Sequence, residues 1–196
     1  MRSPLAAAAL AAVLLLAGCA AAVRREAAPV APPRWLATPA VWRIRQVVLI
    51  ELGESQFPVQ GLLELDTAAG TVRLAALDDF GVTLFRLSIT RTGERVDFIL
   101  PLVPRGAEVA RSVAASLRRI YLEPGAPVQS GTSLALAADR DGNLATAGPR
   151  GNESWQVWYA EYGEAGGERV PRLIRYRERG GASLTIRQES VNRVDK

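Results

Sequence analysis

Apolar and polar residues alternate along much of the chain after residue 41, and this pattern predicts β-strands. Turn residues such as Gly53, Gly70 and Gly93 separate the alternating segments, so the connections are short. The first five segments are residues 42–52, 57–66, 71–77, 82–91 and 95–101. Short connections between successive strands are typical of an antiparallel meander.

The second half of the chain repeats the same signals. A hairpin is predicted over residues 133–148, because Asp141-Gly142 is a strong two-residue turn pair. Three further strands follow, separated by the glycine-rich loops 163–167 and 180–181, and they cover residues 155–162, 172–178 and 183–190. The sequence therefore predicts about ten strands in one sheet, and a twisted sheet of that size tends to curl toward a barrel.

One segment, Gly106 to Leu122, has helical periodicity instead. Its apolar residues form a single stripe, made of Val109, Val113, Leu117, Ile120 and Tyr121, and Pro124-Gly125 ends the pattern. Such a helix must cover an apolar surface, and one face of the predicted sheet is available. Arg118 and Arg119 lie away from the stripe, either as an exposed basic face or as a binding site for phosphate head groups.

The N-terminus has the pattern of a secretory signal peptide. The apolar run from Leu5 to Leu16 follows a positively charged start, and it is shorter than the roughly 20 residues that a membrane-spanning helix needs. The run ends in Leu16-Ala17-Gly18-Cys19, which resembles the lipobox of bacterial lipoproteins. That resemblance implies cleavage after residue 18 and acylation of Cys19, with a buried structural cysteine as the alternative.

Several acyl chains on one residue give a stable membrane anchor. Ala20 stands where the resemblance would place an aspartate as an inner-membrane retention signal, so we expect the outer membrane, with the domain facing the periplasm, and the inner membrane as the alternative. Residues 19–40 are rich in alanine and proline and predict an extended tether. Residues 41–196 are predicted to form a single domain.

The composition argues against an enzyme. The chain has no histidine, and acylation would consume Cys19, its only cysteine, so the usual base, thiol nucleophile and disulfides are missing. Asp78 and Asp79 precede a strand in ordinary turn chemistry rather than as a catalytic pair. The net charge of +4 is modest and dispersed. We therefore expect no cofactor, no metal and no nucleic-acid partner.

The order of these features resembles the LolA/LolB-type lipoprotein carriers and a family of small outer-membrane lipoproteins with the same architecture. The closing stretch "WQVWYAEYGEAGGERVPRLIRYRERGGASLTIRQESVN" carries most of the resemblance, together with "GLLELDTAAGTVRLAALDDFGVTLFRLSI" and "RRIYLEP". The resemblance implies a mainly β fold, an incomplete antiparallel barrel under a helical lid, whose apolar interior receives acyl chains. It also implies an exposed apolar residue on a loop between early strands, which the loops "GESQ" and "TAAG" do not supply.

A ligand of this kind requires a dry cavity lined by aliphatic and aromatic side chains. The expected lining residues are Phe57, Val59, Leu63, Leu65, Phe85, Leu87, Ile89, Phe98, Trp155, Val157 and Leu184 from the strands, and Val113, Leu117 and Tyr121 from the helix. The same alternation also fits a filled core. Two functions therefore stand: an acyl-chain binder for a lipid or lipoprotein cargo, or a structural adaptor that docks an envelope protein.

Cys19→Ser tests the anchor, because serine lacks the sulfur that would be acylated. We expect the variant to lose incorporation of labelled palmitate and to leave the membrane fraction. Ala20→Ser, which keeps the cysteine, serves as the control and should remain labelled. Palmitate labelling of the Cys19→Ser protein would contradict the assignment.

Overall fold

The computed structural model describes residues 32–125, 134–151 and 153–194 of the 196-residue chain. Ten antiparallel strands form one sheet, and their order across the sheet is β5-β4-β3-β2-β1-β10-β9-β8-β7-β6. The strands are β1 (Val41–Leu52), β2 (Ser55–Asp66), β3 (Thr71–Leu77), β4 (Thr83–Thr90), β5 (Glu94–Ile99), β6 (Leu134–Ala138), β7 (Leu144–Pro149), β8 (Trp155–Ala165), β9 (Glu168–Glu178) and β10 (Ala182–Val194). A short helix, α1 (Arg34–Ala37), precedes β1, and a longer one, α2 (Gly106–Leu117), follows β5.

These elements confirm the predicted fold class. The first five strands form the expected meander, β6 and β7 form the expected hairpin, and α2 continues into a π-helical turn, Arg118–Leu122, so that both together cover the predicted helical segment. Among the described residues, β5 and β6 are the two edges of the sheet and do not pair with each other, so the curled sheet stays unclosed.

Strands β8 and β9 are longer than the sequence analysis expects. The predicted loop 163–167 shrinks to a tight turn at Gly166 and Gly167, and the strands pair up to Ala165 and Glu168. Both glycines have positive φ angles, 54° and 77°, which is the geometry of a two-residue hairpin turn that follows the twist of its strands. The difference arises because Gly163, a residue typical of loops, continues strand β8.

The core lies on the inner face of the sheet, under the lid, a name used here for α2 and the π turn together. Alternate residues of β1 are buried, and the neighbouring strands show the same alternation. The largest fully buried side chains include Trp42, Tyr121, Tyr176 and Phe85. The period-two pattern in the sequence is therefore the physical cause of a sheet with one apolar face.

The folded domain begins earlier than residue 41, because α1 packs into the core. Trp35 and Leu36, which the sequence analysis assigns to the tether, are 1% and 2% exposed. The indole ring of Trp35 packs edge to face against two other rings. The ring centroids lie 6.5 Å apart for Trp42 and 6.1 Å apart for Tyr121. Trp42 Nε1 also donates a hydrogen bond to the Trp35 carbonyl oxygen at 3.1 Å.

The signal peptide and Cys19 lie outside the described residues. Within the described part of the chain, none of the helices has the length and apolar character needed to cross a membrane.

Leu65→Ala tests which face of the sheet is the core. Leu65 is fully buried, so we expect the substitution to lower the free energy of unfolding by about 2–5 kcal/mol. Leu62→Ala on the same strand is the matched control, because Leu62 is 47% exposed on the opposite face, and it should change that free energy by less than about 1 kcal/mol. Urea unfolding followed by tryptophan fluorescence measures both. Equal losses would show that the faces are assigned wrongly.

Candidate functional site

The lid covers the inner face of the sheet with a stripe of small and apolar side chains. Its fully buried residues are Val109, Ala110, Val113, Ala114, Ser116, Leu117, Ile120, Tyr121 and Leu122. Helix α2 packs against β4, β5 and β10. Alanines along this stripe let the helix approach the strands closely.

Most of the residues expected to line a cavity lie together in this interior. Twelve of them are buried, and Phe57 is partly buried against the same cluster; the buried ones are Val59, Leu63, Leu65, Phe85, Leu87, Ile89, Val113, Leu117, Tyr121, Trp155, Val157 and Leu184. They form one continuous apolar cluster between the sheet and the lid. Whether this cluster contacts a ligand stays a prediction.

Phe98 is the exception, because it lies on the outer face of the sheet. The register of β5 against β4 shifts between Arg86 and Leu87, so Phe98 pairs with the exposed Arg86. The guanidinium of Arg86 lies 5.5 Å from the centre of the Phe98 ring. A single irregularity thus reverses the side on which Phe98 points, and Val96 and Ile99 pack against the core instead.

The cavity that the described residues form under α2 is small. The cavity between α2 and the strands has a volume of about 10 Å³, which is room for about one water molecule. It is lined almost entirely by apolar residues, among them Val48, Phe85, Val113 and Leu117. Sites for drug-sized ligands have volumes of about 300–1,000 Å³, so an acyl chain can enter only if the lid moves.

Charged side chains fasten the lid at the two sides of the sheet. On one side, Arg118 Nη1 lies 2.8 Å from the Glu94 carboxylate of β5. On the other side, Arg119 donates to Glu178 Oε1 at 2.7 Å and to the Tyr176 hydroxyl on β9. The end of the lid is held as well, because Arg91 Nη1 donates to the Leu122 carbonyl oxygen at 2.9 Å.

These contacts give Arg118 and Arg119 a role that neither sequence interpretation foresaw. Both are partly buried ion-pair partners of the sheet rather than a free basic surface. The guanidinium of Arg119 also lies 5.5 Å from the centre of the Trp155 ring. Burial opposes the charge of Arg119, but its hydrogen bond to Glu178 raises the pKa of the guanidinium, so Arg119 stays charged. We call the contacts of Arg118 with Glu94 and of Arg119 with Glu178 the two latches.

Three exposed apolar residues lie near the start of β4 and the end of β5, at the same end of this strand pair, and we call them the apolar tip. Its members are Phe80, 94% exposed, Val82, 47% exposed, and Leu102, 84% exposed. The β3–β4 turn that holds Phe80 and the segment after β5 that holds Leu102 are neighbours, since Leu100 N donates to the Leu84 carbonyl oxygen. Large exposed apolar side chains of this kind are candidates for an interaction surface.

The Asp78 carboxylate builds the turn that presents Phe80. Asp78 Oδ1 accepts hydrogen bonds from the amides of Phe80 and Val82 at 2.9 and 2.8 Å. The interpretation of Asp78 as turn chemistry is therefore correct. Phe80 in the β3–β4 loop is an exposed apolar residue of the kind that the two earlier loops "GESQ" and "TAAG" lack.

The outer face of the sheet holds a second, wider depression. This outer-face groove has a volume of about 560 Å³ and is lined by four arginines, Arg43, Arg45, Arg73 and Arg86, around Leu62 and Ala75. Glu64 and Asp97 also line the groove and pair with neighbouring arginines. Among residues 32–125, 134–151 and 153–194, no cluster of cysteine, aspartate and glutamate side chains could hold a metal ion.

Comparison with solved structures identifies the fold. A domain from Vibrio parahaemolyticus described as an outer membrane lipoprotein-sorting protein superposes with a TM-score of 0.50 and 8% identity, covering 79% of this chain and 85% of that one. A LolA superfamily protein from Nitrosomonas europaea also gives 0.50 and 8%, covering 81% and 88%. The chain has a LolA-like fold.

A DUF1329 family protein from Desulfovibrio piger is similar as well, with a TM-score of 0.45 and 10% identity over 81% of this chain and 88% of that chain. No protein-family model matches the sequence. No curated protein matches it either. The LolA-like fold is thus recognised from the structure, and the resemblance seen in the sequence is confirmed at the level of fold.

Arg119→Met tests the latch, because methionine keeps an apolar chain near Trp155 and loses the contact with Glu178. We expect hydrogen exchange of the lid amides to accelerate about fivefold, as a partly exposed charged hydrogen bond worth about 1 kcal/mol is lost.

Arg187→Met is the matched control. It removes an ion pair of similar length, 2.9 Å to Glu161, which is more exposed and does not involve the lid. The control should leave exchange in the lid unchanged. Identical lid exchange in both variants would mean that Arg119 does not fasten the lid.

Proposed function

We propose that this protein binds the acyl chains of a lipid or lipidated cargo between the sheet and the lid, in lipid or lipoprotein transport or in envelope assembly. One observation carries the proposal: an apolar interior is covered by a single helix that is fastened at the rim of the sheet by Arg118 and Arg119. Ion pairs at such partly exposed positions contribute only about 0–1 kcal/mol each, so they orient the lid and add little to the free energy of opening it.

Opening the lid would supply the volume that the closed form lacks. The inner strand residues would then be exposed to the cargo, and acyl chains would replace the contacts that Val113 and Leu117 make in the closed form. Burial of each methylene group contributes about 0.8 kcal/mol, so a chain of ordinary length can compensate for displacing the helix. The LolA-like fold supports the same function.

The apolar tip gives the cargo a route from a membrane. Phe80 and Leu102 project at one end of the sheet, and the Asp78 turn keeps Phe80 extended toward the solvent. Side chains of this size insert favourably into the apolar part of a lipid layer. The exposed loop residue implied by the LolA/LolB resemblance therefore has a counterpart in Phe80.

The site of action follows from the predicted anchor. Acylated Cys19 and the tether of residues 19–40 would hold the domain near the periplasmic face of the outer membrane, with the inner membrane as the alternative. A tethered domain meets lipid at high effective concentration, so weak insertion by the apolar tip is sufficient.

A second candidate is a non-enzymatic adaptor with a filled core. The observation in its favour is the contrast between the interior cavity, about 10 Å³, and the outer-face groove, about 560 Å³. A protein partner with acidic side chains would match the arginines of that groove.

Transfer of a pyrene-labelled acyl ester, methyl pyrenedodecanoate, from vesicles of phosphatidylethanolamine and phosphatidylglycerol distinguishes the two candidates. We expect the protein carrying Cys19→Ser to take up the probe saturably at about one molecule per chain. Phe80→Ser should slow uptake from vesicles about tenfold, while binding of the probe added from solution stays unchanged, because the tip acts in transfer and not in the interior.

Val47→Ser is the control, because Val47 is an exposed apolar residue, 42% accessible, on the outer face rather than at the tip. Its uptake rate should match that of the unmodified domain. A domain that takes up no probe from either source would overturn acyl binding and favour the adaptor.

A further inference from the structure

Two glutamines interrupt the apolar inner face of the sheet. Gln46 on β1 and Gln188 on β10 are direct register partners, and they are 1% and 3% exposed. Burying a carboxamide is unfavourable unless all its polar atoms find partners. Two neighbouring glutamines under the lid therefore need an explanation.

Only part of their hydrogen-bonding capacity is used. The hydroxyl of Tyr121, on the lid, donates to Gln46 Oε1 at 3.2 Å and accepts from Gln188 Nε2 at 3.1 Å. Among the described residues, Gln46 Nε2 and Gln188 Oε1 have no partner. We call these three residues the polar trio; it has one spare donor group and one spare acceptor, and exchanging the oxygen and nitrogen of both amides would still leave one of each.

The backbone leaves space for this arrangement. Gly61 on β2 lies opposite Gln46, and a Cβ there would approach Gln46 Cγ to 2.9 Å and Nε2 to 3.1 Å. Gln46 and Gly61 both line the small interior cavity under α2. Gln46, which carries the unpaired Nε2 donor, therefore borders the small cavity that would become larger if the lid opened.

The polar trio is uncharged. Burial raises the pKa of Tyr121, and the hydrogen bond from Gln188 opposes this only in part, so the hydroxyl stays protonated. The cavity lining contains no charged residue. A carboxylate or phosphate placed here would lose its hydration without gaining a counter-charge.

We propose that Gln46 and Gln188, which Tyr121 bridges in the closed form, are an interior site that recognises an uncharged polar group of the acyl cargo, one that offers both a hydrogen-bond acceptor and a donor, as an amide does. This inference rests on the proposed function. When the lid opens, Tyr121 moves with it, and each glutamine presents a carboxamide edge that pairs with the carbonyl oxygen and the N–H of the amide. An ester would satisfy only the donor, and a pure hydrocarbon neither.

Competition against methyl pyrenedodecanoate tests the site with three twelve-carbon ligands: dodecanamide, methyl dodecanoate and sodium dodecanoate. We expect dodecanamide to bind about tenfold more tightly than the methyl ester, the effect of one additional net hydrogen bond. Dodecanoate should bind more weakly than either, because its charge would be buried.

The double variant Gln46→Leu, Gln188→Leu should lose the preference for the amide, so that its affinities for amide and ester become equal. The preference of the unmodified domain is informative by itself, so the test does not depend on whether the variant folds. Equal affinity of the unmodified domain for amide and ester would contradict amide recognition by the polar trio. A preference for the amide that survives in a folded double variant would contradict it as well. Neither result would contradict acyl binding. Failure of all three ligands and of the pyrene probe to bind would overturn both.

Discussion

The pairing of the first strand with the last strand organises this protein. Strand β1 pairs with β2 on one side and with β10 on the other, so it joins the N-terminal meander to the C-terminal strands in one sheet. The β1–β10 register includes an irregularity between Arg45 and Gln46, where Glu189 of β10 is the extra residue and forms an ion pair with Arg45. Because of that bulge, both ends of β10 keep their apolar residues on the inner face, and Gln188 comes to lie beside Gln46.

The lid depends on this sheet in two different ways. Its apolar stripe is held by burial, which is strong and non-directional, while Arg118 and Arg119 are held by ion pairs to β5 and β9, far apart in the strand order. The two ion pairs join the lid to an edge strand, β5, and to an inner strand, β9, and so fix the orientation of the lid. Between them the lid is held by the stripe, by the hydrogen bond from the Tyr159 hydroxyl to the Ile120 carbonyl oxygen at 2.8 Å, and by the polar trio, in which Gln46 Nε2 and Gln188 Oε1 have no partner among the described residues.

The sequence predicted the strands, the helix and the unclosed sheet because burial on one face forces a period of two, and burial of one stripe forces a period near 3.6. It could not predict the side on which Phe98 lies, since a register shift on a short edge strand leaves no trace in alternation. The latch arginines were visible only as polar residues, because their partners Glu94 and Glu178 are remote in the chain. Gln46 and Gln188 are in phase with the buried Ile44 and Ile186, but their proximity could not be predicted, because β1 and β10 are remote in the chain.

Helix α1 lies between the predicted N-terminal tether and the apolar interior of the domain. Trp35 packs edge to face on Tyr121, the residue of the lid that contacts both glutamines, and a Cβ on Gly125 after the lid would come within 2.7 Å of the Leu36 carbonyl oxygen. Helix α1 is therefore in direct contact with the lid. If the proposed opening displaces Tyr121, Trp35 must repack as well, so α1 would respond to the movement of the lid.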